Sequence, residues 1–165
     1  AAERTFQLVA QVAGRAGRGD RPGRVVVQTF QPDHESLRCA EHHDFAAFAE
    51  IELGHRRELL YPPFSRMALL RCEGESLEAT ERIANGLRDA ATTIGRTPGA
   101  AVMITGPAPA PLEKLRRRHR WQLLLRAPSG AAVRRAARYA RDSTAKAARA
   151  AEVRVIVDVD PYGML

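Results

Sequence analysis

The sequence predicts an α/β chain, with a helix, loop and strand at its start, linking helices, and a ferredoxin-like βαββαβ domain at its end. Three observations carry this reading. A helical apolar period breaks at a Gly-Arg run and gives way to a β-branched segment. Tyr61-Pro62-Pro63 then interrupts a second helical stretch and marks a boundary. Beyond it, short apolar segments and two long helical periods follow in the order β-α-β-β-α-β, which places two helices on one face of a four-stranded sheet.

Phe6, Val9, Ala10 and Ala13 recur at helical spacing, which predicts a helix over residues 3–12 that Gly14 ends. After the turn Asp20-Arg21-Pro22-Gly23, residues 24–30 are β-branched and apolar, as in a strand buried on both faces of a mainly parallel sheet. Pro32 stops that strand. Asp33 or Asp44 is placed to cap the helices that follow, the second of which carries Phe45, Phe48 and Leu53. Residues 66–72 read as a strand with Met67, Leu69 and Leu70 apolar. Ser76 then caps a helix whose face is Thr80, Ile83, Ala84, Leu87, Ala91 and Ile94 and whose end is Gly95. Residues 101–105 and 121–126 read as strands separated by the loop Gly106-Pro107-Ala108-Pro109-Ala110-Pro111 and a basic run. A helix from about Ser129 turns Val133, Ala136, Ala137, Ala140, Ala147, Ala148 and Ala151 inward and Arg134, Arg138, Arg141 and Arg149 outward. Residues 153–159 form the last strand. The expected divisions are 1–32, 33–61 and 62–165.

At 165 residues and 45% hydrophobic, the chain can bury about two-thirds of its unfolded surface in one or two domains. It begins without Met, shows no leader and has no apolar run of membrane-spanning length, so it reads as a piece of a longer protein with no membrane partner. Cys39 and Cys72 are far apart and form no CxxC pair, which argues against a disulfide framework or a four-thiolate zinc site and fits a reducing compartment. The net charge of +7 favours polyanionic partners. It is concentrated: residues 106–151 hold twelve Lys and Arg against only Glu113 and Asp142, about +10, so the remainder is slightly acidic.

The most informative stretch is Gln11-Val12-Ala13-Gly14-Arg15-Ala16-Gly17-Arg18. Two guanidinium groups three residues apart can address one small anion, and their planar forks suit phosphate oxygens. That chemistry is what an arginine finger brings to a phosphoryl group in transfer. A basic, Gly-rich surface loop is the alternative. The second candidate cluster is Lys114, Arg116, Arg117, Arg118, Arg120, Trp121 and Gln122, in which cations hold phosphates or carboxylates and the indole supplies a stacking or apolar wall. Against it stand a solvated loop for the arginines and a core position for Trp121. Cys39, His42 and His43 share a helix but lack a fourth metal ligand, and exposed helix polar residues explain them. Asp158 and Asp160 alternate on a strand, where turn formation before Pro161 competes with a paired-carboxylate role. No resident metal is expected in this chain.

Taken together, residues 11–18, the 24–31 segment, Tyr61-Pro62-Pro63-Phe64, Gly106-Pro107-Ala108-Pro109, Arg120-Trp121-Gln122-Leu123-Leu124 and Asp158-Val159-Asp160-Pro161 resemble the C-terminal part of the primosomal replication-restart DNA helicase family, PriA or primosomal protein N′. The resemblance covers most of the chain. It implies that residues 1–32 end the second RecA-like motor lobe, with Gln11, Gly14, Arg15 and Arg18 facing ATP and Mg held by the other lobe, and Arg15 and Arg18 catalytic. The phosphate-cradling loop and the family's zinc module are implied upstream, so this piece alone is expected not to hydrolyse ATP. Residues 62–165 are implied to bind forked and single-stranded DNA, the acidic tail of single-stranded DNA-binding protein (through Arg118 and Gln122) and other primosome proteins, in the bacterial cytoplasm with the nucleoid. A non-catalytic nucleic-acid or protein-binding module remains the competing reading.

Overall fold

The computed structural model describes residues 2–16, 23–96 and 101–161. The chain divides into two compact units, Ala1–Leu59 and Leu60–Leu165.

In the first unit the described elements are three helices: α1 (Ala2–Ala16), α2 (Glu35–Glu41) and α3 (Phe45–Glu58). Their common core is Phe6, Ala40 and Phe48, with the Phe6 and Phe48 rings stacked at 4.5 Å. Aromatic side chains supply most of the apolar area in so small a cluster. Asp44 caps α3 by accepting a hydrogen bond from Ala47 N at 2.9 Å. At α2 the cap is His34, whose Nδ1 accepts from Ser36 N, and not Asp33. Arg56 donates to Glu52 on its own helix and to Glu3 on α1, at 2.9 and 2.7 Å.

The first unit departs from the sequence pattern in two places. Gly14 does not end α1, which continues to Ala16. A single helical glycine costs only about 1 kcal/mol, too little to stop a helix whose neighbours favour it. Residues 24–30 form no strand, and their side chains are exposed, Val26 and Phe30 almost fully. A strand needs partners to take up its N–H and C=O groups, and the described residues of this unit contain only helices.

The second unit runs β1 (Arg66–Gly74), α4 (Leu77–Gly95), β2 (Met103–Leu115), β3 (Arg118–Ala127), α5 (Gly130–Ala150) and β4 (Arg154–Val159). The strands form one antiparallel sheet in the order β2-β3-β1-β4. Ser76 and Ser129 cap the two helices, each accepting from the backbone N–H three residues on. Leu70 and Cys72 of β1, Leu123 and Leu125 of β3, Ile83 and Leu87 of α4 and Val133 and Ala136 of α5 form the core between sheet and helices. On α5 the inward face continues through Thr144 and Ala148, while Ala147 is exposed. Steps of four from Ala140 stay on the face, and Ala147 falls beside it. The end of β4 is tied to the start of β1: Asp160 N donates to Met67 O at 2.9 Å, and Arg66 lies 3.9 Å from the Asp160 carboxylate.

The largest departure from expectation is the β2–β3 hairpin. The Gly-Pro-rich stretch expected as a loop lies within β2, and β3 begins at Arg118, three residues before its predicted start. β2 is an edge strand, where a proline leaves no ladder bond unmade if its nitrogen faces outward. The ladder absorbs the prolines with register shifts between Thr105 and Ala108 and between Pro109 and Lys114. Gly106 sits at the first shift with φ +98, and a Cβ there would lie 2.9 Å from Gln122 O. Gly106→Ala is expected to lower the unfolding free energy by about 1–3 kcal/mol, measured as an earlier urea midpoint with an unchanged slope. A midpoint equal to wild type would show that the shift needs no glycine.

Candidate nucleic-acid interface

Arg15 lies in the last turn of α1, exposed, and makes no ion pair with any described residue. Gln11 is one turn earlier on the same helix face and also exposed, and Gly14 beside them leaves open space where a side chain would stand. An amide and a guanidinium on one open helix face can both donate to an anion. Arg18 lies outside the described residues. The 165 residues contain no GxxxxGK[ST] loop, so a nucleotide's phosphates would have to be cradled elsewhere.

The second cluster is built by the β2–β3 hairpin. Only Arg116 and Arg117 connect the strands, both with positive φ, 49° and 67°, as a type I′ turn requires of its central residues. Glycine and asparagine take that conformation readily, whereas for other L-residues it costs about 1–2 kcal/mol apiece. From Pro111 to Arg118 every residue is exposed. Lys114 pairs across the ladder with His119, and Leu115 with Arg118. Paired residues share a face and successive residues alternate, so Lys114 and Arg118 stand on opposite faces of the ribbon.

The structure divides the sequence-predicted cluster into three. Lys114, Arg116, Arg117 and Arg118 are the exposed cations of the hairpin end. Arg120 is nearly buried: its Nη1 donates to Leu112 O at 3.4 Å and its Nε lies 3.3 Å from Glu73 Oε1, an ion-pair distance without hydrogen-bond alignment. Glu73 also lies 3.2 Å from Arg71 Nε, so one carboxylate serves two guanidinium groups at the hairpin base. Trp121 packs against the core on the helix-covered side of the sheet, opposite Cys72. Gln122 is half-buried on the other side, opposite Arg71, and shares that face with Arg118. Trp121 is partly buried against the core, the position weighed against a site role, and it lies on the opposite face of β3 from Arg118 and Gln122. Burial pushes the Cys72 thiol up to about 12, which leaves it an inert core residue.

A further basic surface was not among the sequence-predicted site residues. On α5, Arg134, Arg135, Arg138, Arg141, Lys146 and Arg149 are all exposed, and of these only Arg141 forms an ion pair, with Asp142 at 2.8 Å, among the described residues. The signal for it was available as a one-sided charge period on an alanine helix. Near the start of the unit, the Arg126 guanidinium stands 5.1 Å from the centre of the Tyr61 ring, a cation–π contact. Cys39 packs beside the phenylalanine cluster of the first unit. Asp160 is engaged with β1, as the turn-forming alternative for that residue describes. No helix among the described residues is long and apolar enough to cross a membrane.

Residues 57–162 match the family described as the primosomal protein N C-terminal domain, PriA_C. Proteins named replication restart protein PriA are similar over nearly the whole chain. The one from Bacillus subtilis is 32% identical over 99% of this chain and 20% of its own length, and the one from Haemophilus influenzae is 37% identical over 99% and 22%. That of Treponema pallidum is 38% identical over 100% of this chain and 24% of its own length. The chain thus spans about a fifth to a quarter of these curated relatives. On this likeness and on the family match over the whole β1–β4 unit, the chain belongs to the PriA family, as a C-terminal part of it.

Proposed function

We propose that the chain is the C-terminal part of an ATP-dependent 3′ to 5′ DNA helicase that recognises stalled forks and restarts replication by primosome assembly. The observation that carries this is the union of family membership with two exposed basic surfaces on the C-terminal unit, the hairpin end and the outer face of α5. A surface of this kind binds phosphates without regard to sequence, as a protein loading at any stalled fork must. The succession βαββαβ and the strand order β2-β3-β1-β4 support a ferredoxin-like domain for residues 62–165, with 33–61 as linking helices. Arg118 and Gln122, on one face of β3, are the proposed contact for the acidic tail of single-stranded DNA-binding protein, and other primosome proteins bind the assembled complex.

In the same reading, residues 1–32 end a RecA-like motor lobe. Gln11, Arg15 and Arg18 donate to the phosphates of ATP, which with Mg supplies the phosphoryl transfer in the full-length protein; the family's zinc lies outside this chain. The exposure of Gln11 and Arg15 on one helix face supports this placement. The competing reading is a binding module without motor activity, in which residues 11–18 are only a basic arm.

Salt-dependent binding of the purified chain to forked DNA, duplex, single strand and RNA tests the proposal. The expected result is a preference for the fork and a log–log salt slope of about −0.9 for each phosphate contacted, with no ATP turnover from this chain alone. Equal binding to RNA, or no binding to DNA, would overturn the replication reading. Measurable Mg-dependent ATP turnover would overturn the division of the motor.

A further inference from the structure

We propose that the β2–β3 hairpin is a probe that enters the major groove of a duplex arm, with Arg116 and Arg117 at its tip. The inference rests on the reading of the C-terminal unit as a DNA-binding domain and assigns the part that touches duplex. Three features of the hairpin point to it. The ribbon is exposed from Pro111 to Arg118, so it is free of the core along that length. Its cations stand on both faces, Lys114 on one and Arg118 on the other, with two more at the end. A flat anionic surface would engage one face and leave the opposite charge unmet, whereas a groove presents phosphate strands to both. The tip geometry is the third feature, because arginine occupies two consecutive left-handed positions that glycine or asparagine would fill with less strain. Folding gives no reason for that choice, and contact with an anion at the tip does.

Size selects the groove. A two-stranded ribbon has strands about 4.8 Å apart, and the major groove, about 12 Å wide and 8.5 Å deep, admits it, while the minor groove, about 6 Å wide, does not. Within the groove, Arg116 and Arg117 at the leading end meet backbone phosphates, so binding asks for no particular base sequence. Lys114 and Arg118 meet phosphates on the two walls, so duplex and the acidic tail proposed at Arg118 compete for that guanidinium. Arg120, beside Glu73 and donating to Leu112 O, ties the base of the ribbon to the sheet.

The test is the double variant Arg116→Asn with Arg117→Gly, which supplies the preferred residues of the turn and removes both charges. Binding is read by fluorescence anisotropy on a plain duplex and on one whose cytosines carry a bulky 5-substituent filling the major groove. Wild type is expected to bind the blocked duplex about tenfold or more weakly than the plain one. The variant should bind the plain duplex about as weakly as wild type binds the blocked one, with a log–log salt slope shallower by about 2 and a melting temperature no lower than wild type. Variant binding equal to wild type would overturn the proposal, as would indifference of wild type to the blocked groove. Loss of binding confined to RNA or to an acidic peptide would assign the tip to that partner instead. Absence of DNA binding by wild type itself would remove the underlying reading along with the inference, an outcome visible without the variant.

Discussion

Arg15→Ala in the full-length protein is expected to lower DNA-stimulated ATP turnover by about 10³-fold or more while leaving the affinity for forked DNA nearly unchanged. The side chain is exposed at the end of α1 and pairs with no described residue, so its removal costs the fold little. What is lost is a charge that, in the proposed motor, meets the γ-phosphate as it transfers. Arg15→Lys should recover little, because a point charge does not reproduce the two-pronged contact of a guanidinium. Arg18→Ala belongs to the same prediction and should abolish coupled unwinding. Phosphate release measured with and without DNA checks both. Turnover within about tenfold of wild type would assign the arginines to a basic arm, since an arginine finger contributes at least a hundred times more.

Leu70→Ala should destabilise the C-terminal unit by about 3–4 kcal/mol. Leu70 is fully buried on β1, the strand that pairs with both β3 and β4, and its side chain faces the helix-covered core. Truncation removes the burial of three carbon groups and leaves a void that the surrounding alanines of α4 and α5 are too short to fill. For a unit of this size the melting temperature should fall by about 10–20 °C, read by circular dichroism. DNA binding by the remaining folded fraction should be unchanged, because Leu70 lies far from solvent. A fall of only a few degrees would mean that the helices close over the gap.

The helices of the C-terminal unit were legible because period and caps agree. Ser76 and Ser129 stand where the apolar faces of α4 and α5 begin, and each accepts the hydrogen bond its type predicts. The hairpin was not legible, for two physical reasons. Proline and glycine signal loops by local rules, while an edge strand tolerates both at the price of a register shift. Its turn also lacks the glycine or asparagine by which two-residue hairpins are found, and two arginines hold those positions. Residues 24–30 show the opposite error: a β-branched segment states a preference, but pairing depends on strands elsewhere. At the site, residue type identified the cations, whereas only the register could show that Trp121 faces the core and Gln122 the other side. Burial of Arg120 against Glu73 depends on a contact between residues far apart in sequence, which no local pattern contains.

The tie between Asp160 and β1 has a mechanical consequence. Because β4 finishes where β1 starts, the first and last strands of the sheet have their outer ends at one corner. Tension applied between those two points would break the Asp160–Met67 link first and then peel β4 away one bond at a time, instead of loading the ladder in shear. The same corner makes the unit transplantable, since ends that meet can be grafted into a loop of another scaffold with short connections.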